Sequence, residues 1–282
     1  MMLLDGRQVA HMWQDSLHDR IHRLADQGVT PGLAVLLVGD DPASHLYVTR
    51  KERAAQALGF RFTKRVLPQG TTTQAAQAVV SELNSDPLSH GLIVQLPLPE
   101  PIDEDTILET LDPQKDIDGL HPANLGELLI GHEKIVPATP KGIIRLLETY
   151  HLPTEGKHVV IVGRSAILGK PLAAMFLNRN ATVTICHSKT DDLGFFTRQA
   201  DLIVMDTGVP GLLRAEMVAE KAVIIDAGIS KLPDGRVVGD VDFTAVAPKV
   251  AAITPVPGGV GPMTIAALLD TTLELAEKSQ KD

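Results

Sequence analysis

The sequence predicts an α/β protein of two domains, each built on a mainly parallel sheet. Three observations carry this. Short apolar runs such as "GLAVLLV", "GLIVQL", "HVVIV" and "DLIVM" alternate with helical patterns along most of the chain. A stretch rich in Pro, Asp and Gly between 97 and 140 interrupts the alternation. The 282 residues, 44% of them hydrophobic, suffice for two ordinary cores.

The first series opens with a buried strand over 32–39. A helix is expected over 44–58, with Ser44 as N-cap and Gly59 just past its end. "RFTKRVL" (61–67) alternates like a strand, 71–84 is helical, and "GLIVQL" (91–96) is a further strand. After the loop-rich segment a helix begins near Thr139, with Pro140 in its first turn, and runs to Tyr150. The second series follows: strand "HVVIVG", helix 169–179, strand "ATVTIC", a short helix near 191–199, strand "DLIVM", helix 214–220 and strand "AVIIDAG". "TPVPGGVGPMT" (254–264) then leads into a helix that reaches Lys278.

Composition narrows the function classes. A formal net charge of -9 argues against broad nucleic-acid binding, which needs clustered cations, and 3% aromatics leave little for base stacking. No apolar run approaches the roughly 20 residues needed to cross a bilayer, and no basic leader with an apolar stretch begins the chain. One cysteine, Cys186, suits a reducing compartment. The expectation is a cytoplasmic protein acting on small molecules, without nucleic-acid or membrane partners.

"VVIVGRSAILGKP" has the strand, glycine loop and helix of a phosphate-holding turn, where unpaired N–H groups and the positive end of the helix dipole meet an anion. The fingerprint G-x-G-x-x-G is incomplete: Arg164 and Ser165 follow Gly163, and the next glycine is Gly169. The second strand ends in "HSKT", where an acid would hold the ribose 2′-OH of NAD. Ser188 and the nearby cations suit a 2′-phosphate instead, and Arg164 offers it charge-assisted bonds. Local chemistry therefore favours NADP; a sheet whose glycines serve turns alone is the competing reading.

Tyr47 and Lys51 share a helix face with Ala54, Ala55 and Leu58. A desolvated Lys51 has a lowered pKa and can move protons; a lysine that keeps its ammonium in water fits the same spacing. Gln95 stands at the end of a strand, where ligands bind in open α/β sheets, or merely closes a turn. "DPQKDIDGLHP" holds Asp112, Asp116 and Asp118 without the ligand run of a calcium loop. One carboxylate there, such as Asp118, suits an amino-pyrimidine ring; otherwise the run is a solvated turn. "PVPGGVGP" reads as a backbone of one defined shape, either a ligand wall or a rigid hinge.

Taken in order, "YVTRK", "VQLPLP", "DIDGLHP", "VGRSAILGKP", "TVTICHSKT" and "TPVPGGVGPMT" resemble the bifunctional methylenetetrahydrofolate dehydrogenase/cyclohydrolase family over nearly the whole chain. The resemblance implies a catalytic domain over 1–138 completed by a C-terminal helix, 263–282. It implies a Rossmann-like NADP-binding domain over 139–262 and an active cleft between the two. It implies oxidation of 5,10-methylenetetrahydrofolate with NADP, then hydrolysis of the methenyl product to 10-formyltetrahydrofolate, in a homodimer that needs no metal. By the same resemblance Lys51 is the catalytic lysine, Tyr47 packs on the substrate, Gln95 tunes Lys51, and Asp118 anchors the pterin. Val94 and Leu96 flank the substrate, and Pro255, Gly258 and Gly259 wall it. Gly163, Arg164, Ser165, Ser188 and Ile229 hold the cofactor. The chain departs from the family pattern at Ala138, where cysteine is frequent, and at Asp206 in "VMDTGVP", an acid near the expected cofactor pocket. Competing readings are a dehydrogenase that has lost the hydrolytic step, a nucleotide-binding regulator without turnover, and another Rossmann dehydrogenase of the shikimate type.

Overall fold

The structure is a computed structural model that describes residues 1–280. In chain order it runs β1 (Met2–Leu3), α1 (Gly6–Asp15), α2 (His18–Asp26), β2 (Gly32–Val38), α3 (Pro42–Ala57), β3 (Arg61–Leu67), α4 (Thr73–Ser85), β4 (Gly91–Val94), α5 (Glu104–Thr110) and α6 (Pro122–Leu129). It continues with α7 (Ala138–Thr149), β5 (His158–Val162), α8 (Gly169–Asn178), β6 (Thr182–Cys186), α9 (Leu193–Thr197), β7 (Leu202–Met205), β8 (Val223–Asp226), β9 (Ser230–Lys231), β10 (Val237–Val238), α10 (Phe243–Val246), β11 (Ala252–Ile253) and α11 (Val260–Lys278).

The chain forms two compact units. One comprises Met12–Glu127, Glu133–Ala138 and the residues from Ile265 on. Its sheet has the order β3-β2-β4, all parallel. Every residue of β2 is buried, as an unbroken apolar run in a central parallel strand requires. Leu36, Val80, Leu92 and Ile107 pack between this sheet and α4 and α5. The last helix is tied to the same unit by charge: Arg20 on α2 donates from Nε and Nη2 to both oxygens of Glu277, and from Nη1 to Asp270 at 2.6 Å.

The other unit comprises Met1–His11, Leu128–His132 and Thr139–Thr264. Its six strands lie in the order β1-β11-β8-β7-β5-β6, all parallel. The order reverses at β5: the chain leaves it for β6 on one side, then returns to β7 on the other. That reversal opens a crevice at the carboxyl ends of β5 and β7, the place where such sheets bind ligands.

Several expectations shift. Residues Met1–His11 cluster with the six-stranded unit, where Met2 and Leu3 pair with Ala252 and Ile253. The helix expected from 44 begins at Pro42, since Asp41 is the cap: its Oδ2 accepts the Ser44 N–H at 2.7 Å, while Ser44 is buried. The segment 97–140 contains α5 and α6, the first capped by Asp103. The helix expected over 214–220 shrinks to one 3-10 turn, Ala215–Met217, between extended residues Arg214 and Val218. α11 starts at Val260, which puts Pro262 in its first turn. The last two positions of the helix expected over 263–282 lie outside the described residues.

Candidate active site and cofactor site

In the three-stranded unit the geometry converges on Lys51. α3 carries Tyr47 and Lys51 one turn apart, and β4 ends at Val94, which places Gln95 just beyond the strand. Lys51 Nζ donates to Gln95 Oε1 at 3.1 Å. The amide is fixed from its other end, for Gln95 Nε2 donates to the Leu96 carbonyl at 2.8 Å and the Gln95 N–H donates to Leu36 O at 2.8 Å. Gln95 is buried, and Lys51 is half-buried as a whole residue with its ammonium at the inner end. Desolvation holds the Lys51 pKa below the usual lysine range, and the field of the Asp118 carboxylate opposes that shift. Burial pushes the Asp118 carboxyl up while the Lys51 charge pulls it down. Tyr47 is 38% exposed, so it is a surface of the site and not part of the core. Val94 is buried in the core, and Leu96 packs against that core half-exposed.

The three acids of "DPQKDID" separate into different jobs. Asp112 Oδ1 accepts the Gln114 N–H and shapes the turn. Asp116 is buried; its Oδ2 accepts the His121 N–H at 2.7 Å and Asn124 Nδ2 at 3.1 Å, and burial pushes its pKa up to about 6. Asp118 alone shares its field with Lys51. Asp116 therefore anchors the loop that presents Asp118.

In the six-stranded unit, β5 ends at Val162 and Gly163 follows with φ +139°, where a Cβ would collide with the carbonyl oxygen of Asp206. A Cβ at Gly169 would collide with the carbonyl of Gly163, so the loop folds onto the start of α8 only because both positions are glycine. Ser165 Oγ accepts the N–H groups of Leu168 at 3.0 Å and Gly169 at 3.2 Å, and donates its own hydrogen to Asp206 Oδ2 at 2.6 Å. Arg164 and Ser188 are exposed, and Ile229 is 51% exposed after β8. Pro255 to Gly259 close a tight turn through Gly259 N–H to Pro255 O at 2.8 Å. Gly258 O accepts the Arg7 N–H at 3.0 Å, and a Cβ on Gly6 would strike Gly259 O, so this packing requires glycine at 6. Gly258 has φ +116° and a Cβ on Gly259 would strike Thr254 Cβ, which requires the glycines of "PGGVG".

Two buried acids were not singled out in the sequence. Asp226 ends β8 and accepts the N–H groups of Gly228, Asp240 and Val241. Asp240 Oδ2 accepts Thr207 N–H, Thr207 Oγ1 and Gly208 N–H, so it holds the loop that follows β7. An apolar strand that ends in an acid, as "VIID" does, followed by the "GDVD" turn was the available signal.

An open parallel sheet with a glycine turn at its switch point, together with a second unit that holds a desolvated lysine, defines a dinucleotide-dependent α/β enzyme. The chain belongs to the tetrahydrofolate dehydrogenase/cyclohydrolase family: residues 4–118 match its catalytic domain and 137–280 its NAD(P)-binding domain. It is 47% identical over 276 residues to the "Bifunctional protein FolD" of Exiguobacterium sibiricum, covering 98% of this chain and 99% of that one. The crystal structure of the bifunctional FolD methylenetetrahydrofolate dehydrogenase/cyclohydrolase from Campylobacter jejuni superposes with a TM-score of 0.98 at 46% identity, covering 99% of each chain. The Trypanosoma brucei enzyme complexed with NADP and an inhibitor superposes with 0.96 at 39% identity, covering 100% of this chain and 99% of that one. Membership carries dehydrogenase and cyclohydrolase activity in one-carbon metabolism and a nicotinamide dinucleotide cofactor.

Proposed function

We propose that this chain oxidises 5,10-methylenetetrahydrofolate with NADP and hydrolyses the methenyl product to 10-formyltetrahydrofolate, with Lys51 as the proton-transfer group. The arrangement of Lys51, Gln95 and Asp118 carries this reading. Loss of hydride from the methylene carbon leaves a cation shared by two nitrogens, so oxidation asks mainly for alignment with the nicotinamide. Hydrolysis asks for more: water attacks the methenyl carbon and gives up a proton, and one carbon–nitrogen bond breaks with a proton delivered to that nitrogen. A lysine held below its usual pKa is suited to take and return those protons. Gln95 Oε1 fixes the position of Nζ, Asp118 anchors the amino-pyrimidine, and Tyr47 stacks on the ring system. The flanking roles of Val94 and Leu96, and the wall formed by Pro255, Gly258 and Gly259, belong to the same proposal.

On the cofactor side the residues present fit a dinucleotide, which supplies the hydride acceptor when bound. Gly163 and Gly169 bring main chain close to the pyrophosphate, Ser165 fixes the loop, and Arg164 and Ser188 take the 2′-phosphate, with Ile229 against the nicotinamide half. Arg164→Ala is expected to weaken NADP binding tenfold or more and NAD binding at most about twofold, since a charge-assisted contact is worth about 1.5–3 kcal/mol. Equal losses in titrations with the two cofactors would refute the assignment. A homodimer in the cytoplasm accompanies this reading.

The deciding experiment supplies methylenetetrahydrofolate with NADP or NAD and follows reduced nicotinamide and methenyl and formyl products together. Formation of methenyl product that then persists would mark a dehydrogenase without the hydrolytic step. Absence of turnover with tight cofactor binding would mark a regulator. Gln95→Leu provides a finer check: hydrolysis is expected to fall at least tenfold. The acid limb of its pH profile is expected to move to lower pH, because the ammonium loses its acceptor and the lysine pKa drops further. An unmoved limb would detach Gln95 from Lys51.

A further inference from the structure

We infer that Asp206 sets the affinity of this chain for the dinucleotide as a whole while leaving the choice between NADP and NAD untouched. The inference rests on the cofactor assignment above. Asp206 follows β7 directly, on the edge of the crevice where the sheet order reverses, and its own N–H donates to Val162 O at 2.8 Å. Its Oδ2 receives the Ser165 hydroxyl hydrogen at 2.6 Å, and the same Ser165 oxygen accepts the N–H groups of Leu168 and Gly169 at the start of α8. Every hydrogen-bonding capacity of the Ser165 hydroxyl is thereby used, so Ser165 has no hydrogen left to donate to a cofactor phosphate. It relays the Asp206 carboxylate to the positive end of α8 instead.

The chain thus carries a built-in anion where a dinucleotide places its pyrophosphate. A bound pyrophosphate meets helix N–H groups already engaged by Ser165, and a carboxylate close behind them. Burial raises the Asp206 pKa and the nearby Asp240 carboxylate adds to that, whereas the Ser165 bond lowers it. The consequence for cofactor choice follows from the sheet. β5 lies between β7 and β6, so Asp206 and the "HSKT" segment after β6 stand on opposite sides of Gly163. The pyrophosphate is common to NADP and NAD, and the groups expected to read the 2′-phosphate, Arg164 and Ser188, are not among the partners of Asp206.

Asp206→Asn isolates the charge, because the amide oxygen still accepts the Ser165 hydroxyl. Dissociation constants for NADP and NAD, measured by titration of the full chain, are expected to tighten roughly three- to tenfold for both cofactors, with their ratio held within about threefold. Asp206→Ala is expected to act in the same direction and serves if the Asn variant folds poorly. Unchanged or weakened binding of both cofactors would overturn the inference, as would a tightening confined to NADP. The cofactor assignment itself is judged separately on the parent chain and Arg164→Ala. A parent that binds neither cofactor sinks that assignment. A parent that binds NADP, beside an Asp206→Asn variant with identical constants, sinks only the role of Asp206.

Discussion

Lys51→Met is expected to reduce cyclohydrolase turnover by about 10²–10⁴-fold, the range that a positioned proton-transfer group contributes. Methionine keeps an unbranched stem of similar length and removes a charge that the surroundings already disfavour. The fold should therefore hold, with the same circular dichroism and thermal transition as the parent. The dehydrogenase step should fall less, because hydride transfer depends on alignment more than on proton movement. Lys51→Arg sharpens the case. It keeps the cation and the bond to Gln95 in outline, yet its guanidinium does not lose a proton near neutral pH. If proton transfer is the role, the arginine variant hydrolyses no better than the methionine variant; if only the charge matters, the arginine variant retains most of the rate. A Met variant that still hydrolyses methenyltetrahydrofolate at the parental rate would remove Lys51 from the mechanism. In the Met variant Asp118 also loses the cation that pulls its pKa down, so its carboxyl should titrate higher still.

Most strands of the two sheets were legible because they are short apolar runs with no competing period, as buried parallel strands require, while the largely exposed β3 was legible from its alternation. β2, β4, β5, β7 and β8 fall where the runs fall. The N-terminal helices α1 and α2 were not read, although α2 separates its apolar and charged faces well: "HDRIHRLAD" is polar on average, and only Leu24 is buried in it. The β9–β10 hairpin turns at Asp234–Gly235, a recognisable turn pair, but its strands are two residues each and show no alternation. The pairing of β1 with β11 joins residues about 250 apart and leaves no local trace. In the site, the i, i+4 spacing placed Tyr47 and Lys51 on one face, yet spacing could not tell a desolvated ammonium from a solvated one. That depended on Gln95 and Asp118, which come from other elements. Asp206 illustrates the same limit. The sequence placed an acid near the cofactor loop, but its bond to Ser165 spans 41 positions and exists only once β7 lies beside β5.

The largest stability effect is expected at Asp240. Its Oδ2 accepts three hydrogen bonds, at 2.6, 2.8 and 3.1 Å, from Thr207 N–H, Thr207 Oγ1 and Gly208 N–H, in a fully buried position. Asp240→Ala removes the acceptor of three donors on a loop that water partly reaches, with Thr207 half-buried and Gly208 exposed. The cost is that of lost bonds to a charged group, about 1.5–3 kcal/mol, and not of three buried orphans. A loss of about 2 kcal/mol is expected, a fall of roughly 4–8 °C in the transition of the six-stranded unit. The pH dependence provides an independent reading. Burial, with the Asp240 carboxylate as a smaller contributor, pushes the Asp226 pKa up to about 6 against the N–H bonds that lower it, whereas an unfolded aspartate titrates near ~3.9. The folded chain thus holds the Asp226 proton more tightly than the unfolded chain does. That favours the folded state in acid and is lost as the pH rises from about 4 through about 6. Asp116, raised to about 6 as well, adds a loss of the same sign in the other unit, so the informative quantity is variant minus parent. Asp240→Ala removes one cause of the Asp226 shift and should flatten the loss across that window. Asp240→Asn keeps a carbonyl oxygen for the Thr207–Gly208 loop while dropping the charge. It should therefore be less destabilised than the Ala variant and show the same flattening. Denaturant titrations at pH 4 and pH 7 separate the two effects. An Ala variant as stable as the parent would mean that Asp240 does not hold the loop after β7, and an unaltered pH slope in both variants would mean that its charge is not felt by Asp226.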